Sequence, residues 1–209
     1  MPPLSALPEV GMSNIRGKTY AMNALSPMKP WKTVILRAVF ILVGWFPQLN
    51  KGLVELSFIH FARWVIIPRH AFPRLSGRQP KENLQYDYLL FFSNFNGTWN
   101  QYIDAFSAVL SSKLNLIWRW SEKFPGSVPV TPFKRYICRG QVETDYYYTA
   151  YPHATTNDVK AAHRVQGAVD ELAQKGASLS PEEFRKAWLQ FMVKVQGDLG
   201  KTGQAPVGV

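Results

Sequence analysis

Tyr86-Asp87-Tyr88-Leu89-Leu90-Phe91-Phe92-Ser93-Asn94-Phe95-Asn96-Gly97-Thr98-Trp99-Asn100-Gln101 reads as a strand, a tight turn and the first turn of a helix. Aromatic and aliphatic residues from Tyr86 to Phe95 suit a pleated, buried surface. Asn96-Gly97 stops the strand, and Gly97 permits positive φ. Thr98-x-x-Gln101 is a capping box, in which the hydroxyl accepts from the Gln101 N–H and the Gln101 side chain answers. Beyond it Trp99, Tyr102, Ile103, Phe106, Val109 and Leu110 recur at helical spacing, predicting a helix to about Ser112 with helix or turn through Leu116–Trp120.

Working outward, Glu55–Ile67 is rich in β-branched and aromatic residues and is closed by Pro68, so it reads as a strand. Before it, Pro30 opens a helix over about Trp31–Phe46. Lys18–Leu25 is a first strand, ended by Ser26-Pro27. On the other side, residues 121–132 hold four Pro or Gly and read as a loop. Glu143–Tyr151 reads as a fourth strand. Thr155 or Thr156 caps a helix over Asn157–Lys175, and Ser180-Pro181-Glu182-Glu183 opens another to about Gln196. The order predicts an α+β fold, a ferredoxin-like βαββαβ antiparallel sheet with helices on one face and two extra C-terminal helices. The expected division is an irregular arm over 1–17, one domain over 18–198 and a flexible tail over 199–209.

Alternation along the strands leaves neither of the two central ones with a polar face. Leu56, Phe58, His60, Ala62 and Trp64 share one side, with Ile59, Phe61, Arg63 and Val65 on the other. Helices cover one side of such a sheet, so the other calls for a second subunit, a ligand or an accessory segment.

The chain has 209 residues, 46% of them hydrophobic and 14% aromatic, which excludes disorder throughout. Cys138 is the one cysteine, so no intramolecular disulfide framework exists. Charge is segregated. Residues 1–81 carry 11 Lys or Arg against Glu9 and Glu55, whereas residues 82–209 carry 13 against 12 acids. The basic part is also apolar. Val34–Phe46 is a run of thirteen residues with a single charge, Arg37. A spanning helix needs roughly 20 such residues, so no transmembrane span is expected, and the prolines near the N-terminus argue against a secretory signal. A cytoplasmic protein, peripheral at a membrane, is the expectation.

The outer face of that first helix should be polar in a two-layer fold and is not. It is buried by the C-terminal helices, meets a partner, or enters a membrane surface with Trp45 and Phe46 at the interface. Lys29, Lys32, Arg37, Phe40 and Lys51 then join the contact, with Arg69, Arg74 and Arg78 from a basic loop over 68–84. Nucleic acid is disfavoured, because Tyr86–Phe95 does not match the aromatic and basic RNA-recognition pattern. No GxSxG, P-loop or GxGxxG occurs, the four histidines lack metal-ligand spacing, and no metal site is expected. Tyr146-Tyr147-Tyr148 and Tyr151 could line a pocket or pack between subunits.

Phe58-Ile59-His60-Phe61-Ala62-Arg63-Trp64-Val65-Ile66 followed by Leu89–Gly97 resembles a group of little-characterised bacterial proteins with an HFAR strand and an SNFDG-type strand end. Leu25–Pro30 is similar to their TPIKPG turn, and the resemblance covers about Tyr20 to Glu171. It implies the dimeric α+β-barrel superfamily, which includes haem peroxidases, and hence a homodimer or a subunit of a larger assembly. Asn96 stands where that pattern has Asp, so no acid role carries over. The resemblance does not imply the activity of those peroxidases. From strand alternation, His60 on an apolar face could ligate haem iron or carry a proton, or be a hydrogen-bonded core residue, and Arg63 on the opposite face could bind a carboxylate, so these two are the catalytic candidates. The cofactor-binding candidates are His163, by analogy with that superfamily, and Tyr147, with haem the possible cofactor. Arg63 could equally pair with Asp87 or Asp104. Two readings result. The leading one is a non-catalytic accessory protein docking on a membrane surface or an apolar protein partner. The alternative is a haem-dependent or cofactor-free oxidoreductase, peroxidase- or monooxygenase-like.

Overall fold

The computed structural model describes residues 14–45, 56–74 and 76–199. The sheet is antiparallel throughout. β1 (Ile15–Arg16) and β2 (Thr19–Met28) form a hairpin, β2 pairs along its length with β4 (Asp87–Asn96), and β4 pairs with β3 (Ile59–Ile67). A two-residue β5 (Gln141–Val142) lies on the free side of β2. The helices are α1 (Pro30–Trp45), α2 (Trp99–Trp118), α3 (Val130–Gly140), α4 (Thr156–Gly176) and α5 (Pro181–Val195).

β4 is the spine. Leu89, Phe91 and Phe95 are buried on the face that meets α2. Phe95 stacks on Tyr102 at 4.0 Å between ring centroids, and Phe91 meets Trp118 edge-on at 5.1 Å. Each such ring taken from water contributes about 2 kcal/mol. α2 begins as its sequence demands, with the Thr98–Gln101 capping box complete, and it runs on to Trp118 through a kink at Leu110.

Three sequence expectations need correction. First, Ser26-Pro27 does not end β2. The Pro27 carbonyl accepts from Glu122 N on the edge away from β4, so the proline nitrogen faces that edge and no β4 ladder bond is lost. Second, 143–151 is not a strand. Asn14 Oδ1 accepts from both the N–H and the hydroxyl of Thr144, and Asn94 Nδ2 donates to the Tyr147 hydroxyl. Side chains thus draw the segment across the sheet face instead of along its edge, and the fourth strand is reduced to β5. Third, the proline-rich loop is shorter than expected, because α3 starts at Val130 and drives Phe133 and Ile137 into the core.

The face away from α2 is partly covered. Thr19 and Ala21 are buried there, beside the Tyr147 segment. The Asn96 carboxamide donates to Lys18 O and accepts from Thr156 N, tying the start of α4 to the same end. The Thr156 hydroxyl also donates to Ser57 O. Farther along, Phe61 is exposed and Val65, Leu90 and Phe92 are half-buried.

Candidate functional site

α1 binds the body of the molecule by one narrow side. Thr33 and Leu36 are buried, and Val39 and Phe40 pack against the core. The opposite side stays in solvent. Trp31 is 59% exposed, Val34 68%, Ile41 57% and Trp45 72%. With Ala38 and Leu42 these residues form one stripe at helical spacing, interrupted by Arg37 alone. The expectation that the C-terminal helices bury this face is therefore corrected. α4 and α5 pack on each other as a hairpin, with Ala168 and Val195 buried outside the main core.

The sheet register decides what lies beside the stripe. Met28 pairs with Asp87, Ile67 with Tyr88, and Met28 bridges to Ser121. The end of β2, the end of β3, the start of β4 and the end of α2 thus meet at one edge. Lys29 immediately precedes α1 there, and Arg69, Arg74, Arg78 and Lys81 follow β3 in the connection to β4. Basic residues distant in sequence collect at the end where α1 starts. The Asp87 carboxylate at this edge is occupied, accepting from Arg69 N at 2.8 Å. Lys32 is taken by Glu122 at 2.7 Å. That bond holds the Glu122 carboxyl below the usual carboxylate range, so Lys32 is a structural cation first.

Of the remaining contact candidates, Lys29, Arg37, Arg69, Arg74 and Arg78 are exposed, and Phe40 turns inward. Phe46 and Lys51 lie outside the described residues. Sequence reading missed Trp31, Val34, Ile41 and Leu42 as members of the stripe. Their spacing of three and four was legible, but which side of α1 meets the sheet was not.

The catalytic and cofactor candidates are dispersed. His60 sits at a bulge between Ile59 and Phe61 and is exposed. Partial burial of its ring lowers its pKa, while the Asn96 side chain acts in the opposite direction. Arg63 is exposed and does not take the partners expected of it, since Asp87 serves Arg69 N and Asp104 pairs with Lys134 at 2.7 Å. Lys134 wins Asp104 because α3 lies against α2, an element that sequence reading did not foresee. His163 is exposed on α4. Tyr147 is half-buried on Asn94, and burial raises its phenol pKa. Burial likewise raises the Cys138 thiol, which works against a thiolate. Among the described residues no group of three or more His, Cys, Asp or Glu could hold a metal, and no helix is long and apolar enough to cross a membrane.

Compared with protein-family models, curated proteins and solved structures, the chain matches none.

Proposed function

We propose that this is a non-catalytic docking protein whose α1 stripe enters the surface of an anionic membrane. The observation that carries the proposal is a helix with tryptophan at both ends and an apolar outer side, which starts at the end of the sheet where the basic loop after β3 leaves it. Amphipathic tryptophan favours the boundary between headgroup and acyl chain. Each basic residue near an anionic surface contributes about 1 kcal/mol, and a helix lying in the interface gains from its apolar side without spanning. Such docking is reversible and salt-sensitive.

The strand order β5-β2-β4-β3 supports a ferredoxin-like reading of the fold, with α1 and α2 as the two crossovers. In that reading the uncovered part of the sheet face, Phe61, Val65, Leu90 and Phe92, receives a second copy of the chain, making a homodimer. The oxidoreductase alternative finds less support, because His60 and His163 are exposed on separate elements.

Co-sedimentation with phosphatidylserine-containing vesicles tests the docking. The wild-type chain should partition to the pellet at low salt and be released at high salt. Trp31→Ser with Trp45→Ser should weaken partitioning about tenfold while leaving the thermal midpoint unchanged, since both residues are exposed. Equal sedimentation with and without vesicles overturns the proposal and leaves an apolar protein partner for the stripe. Sedimentation equilibrium reports the dimer, and a monomer at all concentrations would remove it.

A further inference from the structure

Residues 69–74, after β3, together with Lys81 and Glu82 line an open cavity of about 320 Å³ that no step above uses. Arg69, His70, Arg74 and Lys81 line it together with Phe72 and a single acid, Glu82. The cavity is anchored on both sides. Asp87 accepts from Arg69 N, Arg74 Nη1 donates to Gln79 O across the loop, and the Phe72 ring meets Tyr88 edge-on at 5.4 Å. None of the six ion pairs of the described residues involves Arg69, Arg74, Lys81 or Glu82.

We infer that this cavity binds a phosphomonoester group. Arg69, Arg74 and Lys81 against the single acid Glu82 leave the lining a formal surplus of two positive charges, which matches a dianionic phosphate rather than a singly charged diester or carboxylate. Arginine presents paired N–H donors to phosphate oxygens, and Phe72 gives the carrier of the phosphate an apolar wall. The inference deepens the docking proposal, because the cavity opens at the end of the sheet where α1 begins. It does not depend on α1 inserting, since a water-soluble phosphomonoester satisfies the same chemistry.

The test compares vesicles containing phosphatidic acid with phosphatidylserine vesicles of matched surface charge, and titrates glycerol 3-phosphate as a free competitor. The wild-type chain should favour phosphatidic acid about tenfold, and millimolar glycerol 3-phosphate should abolish that preference. Arg74→Gln with Lys81→Gln should bring the ratio to about one, whereas Lys160→Gln, an exposed charge on α4 away from the cavity and the α1 stripe, should preserve it. Circular dichroism of each variant guards against a folding defect. Saturable glycerol 3-phosphate binding without vesicle preference would assign the site to a free phosphomonoester. A wild-type ratio of one with no glycerol 3-phosphate binding overturns the inference, and phosphatidylserine partitioning that still depends on Trp31 and Trp45 would leave the docking proposal intact. Loss of that partitioning with the phosphomonoester ratio retained would do the reverse.

Discussion

Tyr102 and Ser93 show how a single buried pair constrains the core. The Tyr102 hydroxyl donates to Ser93 Oγ at 2.9 Å, and Ser93 Oγ donates in turn to Phe61 O. Burial drives the Tyr102 phenol well above its ordinary pKa, so it remains a donor at any pH the fold survives. Tyr102→Phe removes the donor and leaves Ser93 its carbonyl partner, so about 1 kcal/mol should be lost in urea unfolding. Ser93→Ala strands a buried hydroxyl and should cost more, about 2 kcal/mol. Nearby, Tyr20 is pushed up to about 12 by burial and should stay protonated in a spectrophotometric titration until the chain unfolds. His60 gives a pH dependence of known sign. Its folded pKa lies below its ordinary 6.5, so the folded state binds fewer protons than the unfolded one. That contribution is present above pH 6.5 and is lost as pH falls through the folded value. The urea midpoint should drop between pH 7.5 and 5.5, and His60→Gln should flatten the drop. A slope unaltered by the substitution would exclude His60 as its source.

Elements in this chain are set by their ends. Three capping boxes, at Thr98, Thr155 and Ser180, start α2, α4 and α5; those at Thr98 and Ser180 were legible as four-residue patterns, whereas the sequence left Thr155 and Thr156 as alternative caps. Thr98→Ala should lower stability by about 1 kcal/mol, visible as a lowered thermal midpoint. The edge strand β5 is held differently. A Cβ at Gly140 would lie 2.5 Å from Leu25 O, so α3 can deliver β5 against β2 only with glycine there. Gly140→Ala should cost roughly 2 kcal/mol by overpacking. It should also perturb the Trp99 indole, which donates to Gln141 at 2.9 Å. An unchanged midpoint and Trp99 environment would show that β5 is dispensable. No sequence pattern announces this constraint, because it depends on two strands that meet across more than a hundred residues.

At the scale of the molecule, apolar side chains divide between a closed core and surfaces left open. β2, β4 and α2 hold most of the largest buried side chains, whereas α4 and α5 contact chiefly each other and expose Phe184, Trp188 and Val193. Amide hydrogen exchange should therefore find α4 and α5 opening well before β2 and β4. Protection of the hairpin equal to that of β4 would show that it is bound more tightly to the body than its packing indicates. The stripe on α1 belongs to the same division. Its substitutions should alter association with membranes while leaving unfolding within about 0.5 kcal/mol of the wild type.

Local chemistry written in consecutive residues was enough for the strands around Phe61 and Phe91, the helix caps, the greasy first helix and the basic excess before residue 82. Caps, periodicity and composition act within a few residues of one another and need no fold to operate. Only the tertiary structure decided that Pro27 stays in a strand, that 143–151 crosses the sheet instead of joining it, and that Phe40 faces inward while Trp31 and Trp45 face out. It alone gathered Lys29 and the 69–81 loop at one end of the sheet. These outcomes depend on which distant groups compete for the same hydrogen bonds and the same buried area, and that competition is resolved only when the whole chain packs.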